Sequence, residues 1–125
     1  MSILDLEERR IAPRFEVALP GQLTTEANHL VEMVVSNISS SGVQLEMQQH
    51  EMPHLLPNDH SQNTMSPVGV KLSIDLQDQL DTIHIRCGVV YVQRKSHSHC
   101  IVGCRFEKFY DNAGPRLESF IANQR

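Results

Sequence analysis

Two short polar segments near the N-terminus carry the residue types needed to hold an anionic nucleotide. The first is Arg10-Ile-Ala-Pro-Arg14, preceded by Arg9, and it supplies three planar guanidinium groups. A guanidinium group donates paired hydrogen bonds to a phosphate or to the O6 and N7 edge of guanine. Arginines near a chain terminus are usually solvated, so this segment alone is weak evidence for a site.

The second segment, Asn37-Ile-Ser39-Ser-Ser-Gly42, combines short polar side chains with a glycine. Asn37 and Ser39 offer donors and acceptors, and a turn that closes at Gly42 exposes backbone N–H groups, which suit an anion. Alone, such a segment is usually a turn whose side chains bond its own backbone. The two segments together indicate one nucleotide site, because they supply groups for both phosphates and bases.

The composition indicates one globular domain without a broad basic surface. The 125 residues are 40% hydrophobic and 21% charged, with a formal net charge of −4, which suits one packed core. A nucleic acid polymer requires a basic face, so this class of partner is not expected, whereas a small anion needs only local arginines. No apolar run has the length of a membrane helix, residues Met1–Arg10 lack the basic start and hydrophobic stretch of a signal peptide, and three cysteines fit reduced thiols. We therefore expect a cytoplasmic protein without membrane insertion.

Hydrophobic alternation predicts a mainly β domain that positions the two polar segments. Strands are expected at 15–25, 30–39, 42–47, 69–76, 82–94 and 99–109. Segment 50–67 is rich in proline and histidine and reads as a long loop with one short helical turn. Segment 114–124 changes to helical spacing at Leu117, Phe120 and Ile121. Such an order predicts a small antiparallel barrel or sandwich flanked by a closing helix.

On these residues the chain resembles the PilZ family, whose members carry R-x-x-x-R before the first strand and [D/N]-x-S-x-x-G after the second. Segments Val89–Arg94 and Val102–Phe106 are similar to the later strands of that family, so the likeness covers nearly the whole chain from Glu8 onward. The resemblance implies a six-stranded antiparallel PilZ-type β-barrel with a C-terminal α-helix at 15–125. A flexible arm with the arginine motif would precede it at 1–14. The implied ligand is the bacterial second messenger cyclic di-GMP.

The resemblance also implies roles for the arginines of the arm. Arg10 and Arg14 would contact the phosphates and the guanine edges, with Arg9 as an adjacent helper. Residues 1–13 would be mobile without ligand and would fold over the barrel mouth when the arginines hold the phosphates.

In the second motif, the resemblance implies that Asn37 and Ser39 bond a guanine base and the nearby backbone, while Gly42 permits the close turn. Asn37 stands where aspartate is more frequent in the family, which removes a full negative charge from this position. Tyr91 is a further candidate, as a stacking face for a base. It shares an alternation face with Cys87 in the sequence, so a place in the core is its alternative role.

No motif of an enzyme is present: the chain lacks a glycine-rich phosphate loop, a nucleophile elbow and zinc-finger spacing. His97, His99, Cys100 and Cys104 include zinc-ligand types, but strand alternation sends the histidines and the cysteines to opposite faces. No metal site and no resident cofactor are therefore expected, and the histidines of 50–67 are expected at the surface.

The predicted function is a non-enzymatic cyclic di-GMP receptor, a nucleotide-binding protein of second-messenger signalling. It would transmit ligand occupancy to a downstream protein partner whose identity the sequence leaves open. The alternative is a PilZ-like interaction adaptor, which keeps the barrel but binds its partner without nucleotide.

Overall fold

Six antiparallel strands close into a barrel in the computed structural model, which describes residues 13–56 and 68–124. The strands are β1 (Phe15–Thr24), β2 (Leu30–Ile38), β3 (Gly42–Gln48), β4 (Gly69–Ile74), β5 (Ile83–Arg94) and β6 (His99–Phe109). A 3-10 helix (Gln49–Glu51) and the short helix α1 (Met52–Leu55) follow β3, and helix α2 (Ala113–Ala122) follows β6. The predicted six-stranded barrel with a C-terminal helix is confirmed.

The strand order around the barrel is β1-β2-β3-β6-β5-β4, with β4 paired back onto β1. Closure leaves no sheet edge unpaired. Alternate side chains point inward, so β1, β2 and β3 bury Leu23, Val35 and Leu45 completely. Because β1 and β2 form a hairpin, the first residue of β1 lies beside the last residue of β2: Phe15 is the pairing partner of Ile38. This register brings Arg14, the last residue of the first motif, to the end of the barrel where the second motif begins.

Helix α2 packs one apolar face on the barrel and is held by an arginine on its flank. Leu117 and Ile121 are buried, as the helical spacing predicts. The guanidinium Nη2 of Arg116 donates to both carboxylate oxygens of Asp78 at 3.0 Å, and its Nη1 donates to the backbone oxygen of Asp81 at 2.6 Å. The hydrogen bond from Arg116 lowers the pKa of Asp78.

Irregularities in β5 change which side chains face the core. The register of β5 against β6 shifts between Arg86 and Cys87 and again between Val89 and Tyr91. Each extra residue breaks the period of two. Cys87 is fully buried, as its apolar neighbours predict, but Tyr91 is 39% exposed. Simple alternation placed Tyr91 on the same face as Cys87, and that assignment was wrong because it did not include the bulge.

The segment after β3 begins as the sequence predicts, with a short helical region that Leu55 anchors in the core. The rest of the predicted long loop, residues 57–67, lies outside the described residues. Residues 1–12 also lie outside them, and with these Arg9, Arg10 and most of the predicted arm. No helix in the described parts is long and apolar enough to cross a membrane.

Candidate functional site

The two sequence motifs meet in a direct contact between Arg14 and Asn37. Arg14 immediately precedes β1, and Asn37 is the second-last residue of β2. The guanidinium Nη1 of Arg14 donates a hydrogen bond to the side-chain oxygen Oδ1 of Asn37 at 2.9 Å. The pairing of β1 with β2 therefore joins a guanidinium group and a carboxamide on the outer surface of the barrel.

Because its partner Asn37 is neutral, this contact does not compensate the positive charge of Arg14. Within the described parts of the chain Arg14 forms no salt bridge. A guanidinium group has five N–H donors, so one bond to Asn37 leaves four, and the amide oxygen keeps a second lone pair. An aspartate at this position would instead form an ion pair with Arg14. Glu16, directly opposite Asn37 in the β1–β2 register and exposed, is the nearest carboxylate along that pairing.

Ser39 closes the turn of the second motif and is almost completely buried, with 1% of its surface exposed. Its hydroxyl oxygen accepts hydrogen bonds from the backbone N–H groups of Ser41 and Gly42 at 3.2 Å each. The same hydroxyl lies 3.3 Å from the carbonyl oxygen of Gly42, to which it can donate. The serine side chain thus bonds the nearby backbone and holds the shape of the turn.

Gly42 is required by the close approach of strand β6. A Cβ atom at this position would lie 2.4 Å from the carbonyl oxygen of Cys104, a distance that real Cβ contacts do not reach. No glycine in the described residues has a positive φ angle. The glycine therefore serves close strand packing here, and a left-handed turn is not the reason for it. The backbone N–H of Phe106 also donates to the carbonyl oxygen of Ser41 at 2.9 Å, which fixes the turn against β6.

Tyr91 belongs to a row of outward residues that begins at Asn37. In the register, Asn37 pairs with Gln44, Gln44 with Gly103, and Gly103 with Tyr91. The tyrosine ring covers Gly103, since a Cβ atom there would lie 2.1 Å from the ring carbon Cε2. The Tyr91 hydroxyl donates to Oε1 of Gln44 at 3.0 Å. The row places an aromatic ring and a second carboxamide on the surface that also carries Asn37.

Gln44 and Gly103 are the members of this row that sequence reasoning missed. Gln44 could have been found by pairing β2 with β3 residue by residue outward from the turn at Ser39, because this pairing places Gln44 opposite Asn37. Gly103 could have been found as a glycine in the interior of a predicted strand, between Val102 and Cys104, because such a glycine often marks a close approach of another group. Neither residue carried a motif of its own.

The cysteines of the barrel are buried and held in the thiol form. Burial raises the pKa of the Cys87 thiol and raises that of Cys104 to about 12. Cys100 is also buried, and its pKa is raised for the same reason, whereas the neighbouring His99 is half-buried. The structure thus separates the cysteines of β5 and β6 from solvent, from which a metal ion or an electrophile would approach.

A cleft of about 450 Å³ lies elsewhere on the barrel, and Lys71, Arg86 and Tyr110 are among the residues that line it. Lys71 Nζ is 5.4 Å from the centre of the Tyr110 ring, a cation–π distance. None of the residues that line this cleft belongs to the two motifs. This cleft is therefore separate from the candidate site.

Comparison with known proteins gives one family and several similar structures. The sequence profile of the PilZ domain matches residues 8–123. The PilZ domain of YcgR from Escherichia coli, solved with c-di-GMP, is 12% identical with a TM-score of 0.66, over 93% of this chain and 91% of that one. The comparison with curated protein sequences finds no match.

Two longer proteins share the fold. The Bacillus subtilis inhibitor of motility (MotI/DgrA) is 18% identical with a TM-score of 0.63, over 93% of this chain and 51% of that one. The K. pneumonia MrkH–c-di-GMP complex is also 18% identical with a TM-score of 0.63, over 92% of this chain and 52% of that one. The chain therefore spans about half the length of these two proteins. At such identities the likeness establishes the fold.

Proposed function

Because the chain belongs to the PilZ domain family, we propose that it is a receptor for cyclic di-GMP and binds this ligand where Arg14 meets Asn37. The observation that carries the proposal is the hydrogen bond between these two side chains, which joins the two motifs into one surface. The YcgR and MrkH structures, which share the fold, contain c-di-GMP.

The chemistry of the surface supports this ligand. Guanine presents N1–H and an amino group as donors, and the oxygen of Asn37, which among the described residues accepts only the bond from Arg14, has a second lone pair for them. The remaining N–H groups of Arg14 suit a phosphate or the O6 and N7 acceptors of guanine. The exposed ring of Tyr91, three strands away from Asn37 along the same row, offers a face for stacking of a base.

Arg9 and Arg10 would add two further guanidinium groups to this surface. Both lie outside the described residues, so their part in the proposal rests on the R-x-x-x-R motif. We propose that arm residues 1–13 close over the nucleotide and thereby change the surface that a downstream protein partner meets. The protein would act as a receptor and not as an enzyme.

Competition binding with fluorescently labelled cyclic di-GMP tests the proposal. Unlabelled cyclic di-GMP should displace the probe, whereas GTP should not. A hydrogen bond to a charged group contributes about 1.5–3 kcal/mol, so Arg14→Ala should weaken binding about 10- to 150-fold. Asn37→Ala, which removes a neutral partner worth about 0.5–1.5 kcal/mol, should weaken it about 2- to 13-fold.

Lys95→Ala is the matched control for loss of a positive charge. Lys95 pairs with Glu46 through a 2.9 Å contact and lies beyond the end of β5. Its removal should leave affinity unchanged. Failure of cyclic di-GMP to bind or to displace the probe would reject the receptor and favour the nucleotide-independent adaptor. Equal affinity in Arg14→Ala and the unaltered protein would reject the Arg14–Asn37 surface as the binding site.

A further inference from the structure

Two histidines and a glutamate converge at the end of β2 that is remote from the candidate nucleotide site. His29 ends the loop between β1 and β2, Glu51 ends the 3-10 helix, and His54 lies in α1. From His29, just before β2, to Asn37 there are eight residue steps, which correspond to about 26 Å at about 3.3 Å per residue. The cluster is therefore separate from the Arg14–Asn37 surface.

The distances within the cluster approach those of a coordination sphere. Nε2 of His29 lies 3.3 Å from Oε1 of Glu51, and Nε2 of His54 lies 3.8 Å from the same oxygen. All three potential ligand atoms lie within 4.8 Å of one another. Tetrahedral zinc with bonds of about 2.0–2.1 Å separates its ligand atoms by about 3.3 Å. The His29–Glu51 edge already has this length, the His54–Glu51 edge must shorten by about half an ångström, and the third edge, between the two imidazole nitrogens, lies within 4.8 Å.

The orientation of the rings defines the movement that coordination requires. The His29 and His54 rings are stacked, with centroids 3.6 Å apart and planes inclined by 15°. The nitrogen lone pairs lie in the ring planes, and these planes are nearly parallel, so one ring must rotate for both nitrogens to face a common ion. The side chain of His54 is 48% exposed and that of His29 is 38% exposed, which leaves room for this rotation and a route from solvent.

The backbone beneath each ligand is fixed. The N–H of His29 donates to the hydroxyl of Thr25 at 3.1 Å, and the N–H of Thr25 donates to the carbonyl oxygen of His29 at 2.9 Å. On the other side, Leu55 next to His54 is 1% exposed and anchors α1 in the core. Glu51 and His54 are three residues apart, so they share one face of the helical turn. Only side-chain torsions have to adjust.

We propose that His29, Glu51 and His54 bind one divalent transition metal ion of the zinc class, with solvent completing its coordination. Two imidazoles with one carboxylate favour such ions over Ca²⁺ or Mg²⁺, which prefer oxygen ligands. The bound ion would fasten the β1–β2 loop to α1, two parts of the chain that are separated by β2 and β3. The alternative is a metal-free histidine–glutamate contact, which the experiment distinguishes.

Isothermal titration calorimetry with zinc chloride tests this site. The protein is prepared metal-free and without a polyhistidine tag. One Zn²⁺ per chain should bind. Loss of an outer-shell partner alone weakens metal sites about 10- to 100-fold, so the double variant His29→Ala, His54→Ala should lose at least that much affinity. Glu51→Gln, which keeps the side-chain shape, should weaken binding in the same direction.

His50→Ala is the matched control, since His50 is exposed on the 3-10 helix beside Glu51 and lies outside the cluster. It should bind zinc as the unaltered protein does, and circular dichroism should show the same fold in all variants. With Co²⁺ as probe, the visible spectrum should show nitrogen and oxygen ligation without a sulfur charge-transfer band. Absence of zinc binding, or equal zinc affinity in the double variant, would overturn the site. Neither outcome depends on cyclic di-GMP.

Discussion

Replacement of Ser39 by alanine separates a structural role of this motif serine from direct contact with the ligand. The substitution removes a hydroxyl that accepts two backbone N–H groups, those of Ser41 and Gly42. Gly42 is buried, whereas Ser41 is exposed, so water can replace the lost partner only at Ser41. A buried donor left without a partner costs about 1–3 kcal/mol. We therefore expect Ser39→Ala to lower the free energy of unfolding by about 1–3 kcal/mol.

Urea denaturation followed by circular dichroism measures this loss. For a domain of this size, each kcal/mol of lost unfolding free energy lowers the melting temperature by about 4 °C. Thermal denaturation should therefore show a fall of about 4–12 °C. Ser40→Ala, at an exposed position of the same turn, is the matched control and should stay within about 0.5 kcal/mol. Unchanged stability in Ser39→Ala, combined with loss of cyclic di-GMP affinity, would refute the reasoning and indicate that the hydroxyl bonds the guanine directly.

Three further predictions follow from other contacts. Gly103→Ala places a Cβ atom where the Tyr91 ring now lies. Because this ring is the outer part of a 39% exposed side chain, it should swing aside and give up its hydrogen bond to Gln44, so urea denaturation should show a loss of about 0.5–1.5 kcal/mol; a loss above about 3 kcal/mol would show that the ring cannot move. Glu16→Gln removes the carboxylate opposite Asn37 in the register; cyclic di-GMP should bind about 1.5- to 5-fold more tightly at low salt, and weaker binding would contradict this. Asp78→Asn should destabilise the protein above the ordinary carboxyl pKa of 3.8. The bond to Arg116 lowers the pKa of Asp78 in the folded state, so the difference in unfolding free energy between the variant and the unaltered protein should vanish as pH falls through the lowered pKa. Urea denaturation at several pH values measures this difference, and a difference that persists in acid would exclude the ion pair as its source.

The strands were predictable because each of them keeps one face in the core. The expected strand at 42–47 is observed as Gly42–Gln48, and the expected strand at 99–109 is observed with the same bounds. The C-terminal helix was predictable from the spacing of Leu117 and Ile121, both of which are buried. Hydrophobic burial sets these patterns over several residues, so they are readable without knowledge of distant contacts.

Features that depend on contacts between strands were not predictable in the same way. The bulge between Val89 and Tyr91 turns the Tyr91 side chain from the core face of β5 to its outer face, and nothing in the local alternation marks it. Gly42 was expected to serve a tight turn, but its reason is the carbonyl oxygen of Cys104 on β6, which only the strand order brings near. His29 and His54 were separated by two strands in the sequence, so their stacking required the closed barrel.

Isothermal titration calorimetry of the full chain with cyclic di-GMP measures the proposed function most directly, with the double variant Arg10→Ala, Arg14→Ala as control. The unaltered protein should show saturable heat with a dissociation constant of about 1 μM or less, and the variant should show none. At a hundredfold excess over that constant, ligand should raise the free energy of unfolding by about 2.7 kcal/mol. Absence of both heat and stabilisation in the unaltered protein would contradict a cyclic di-GMP receptor.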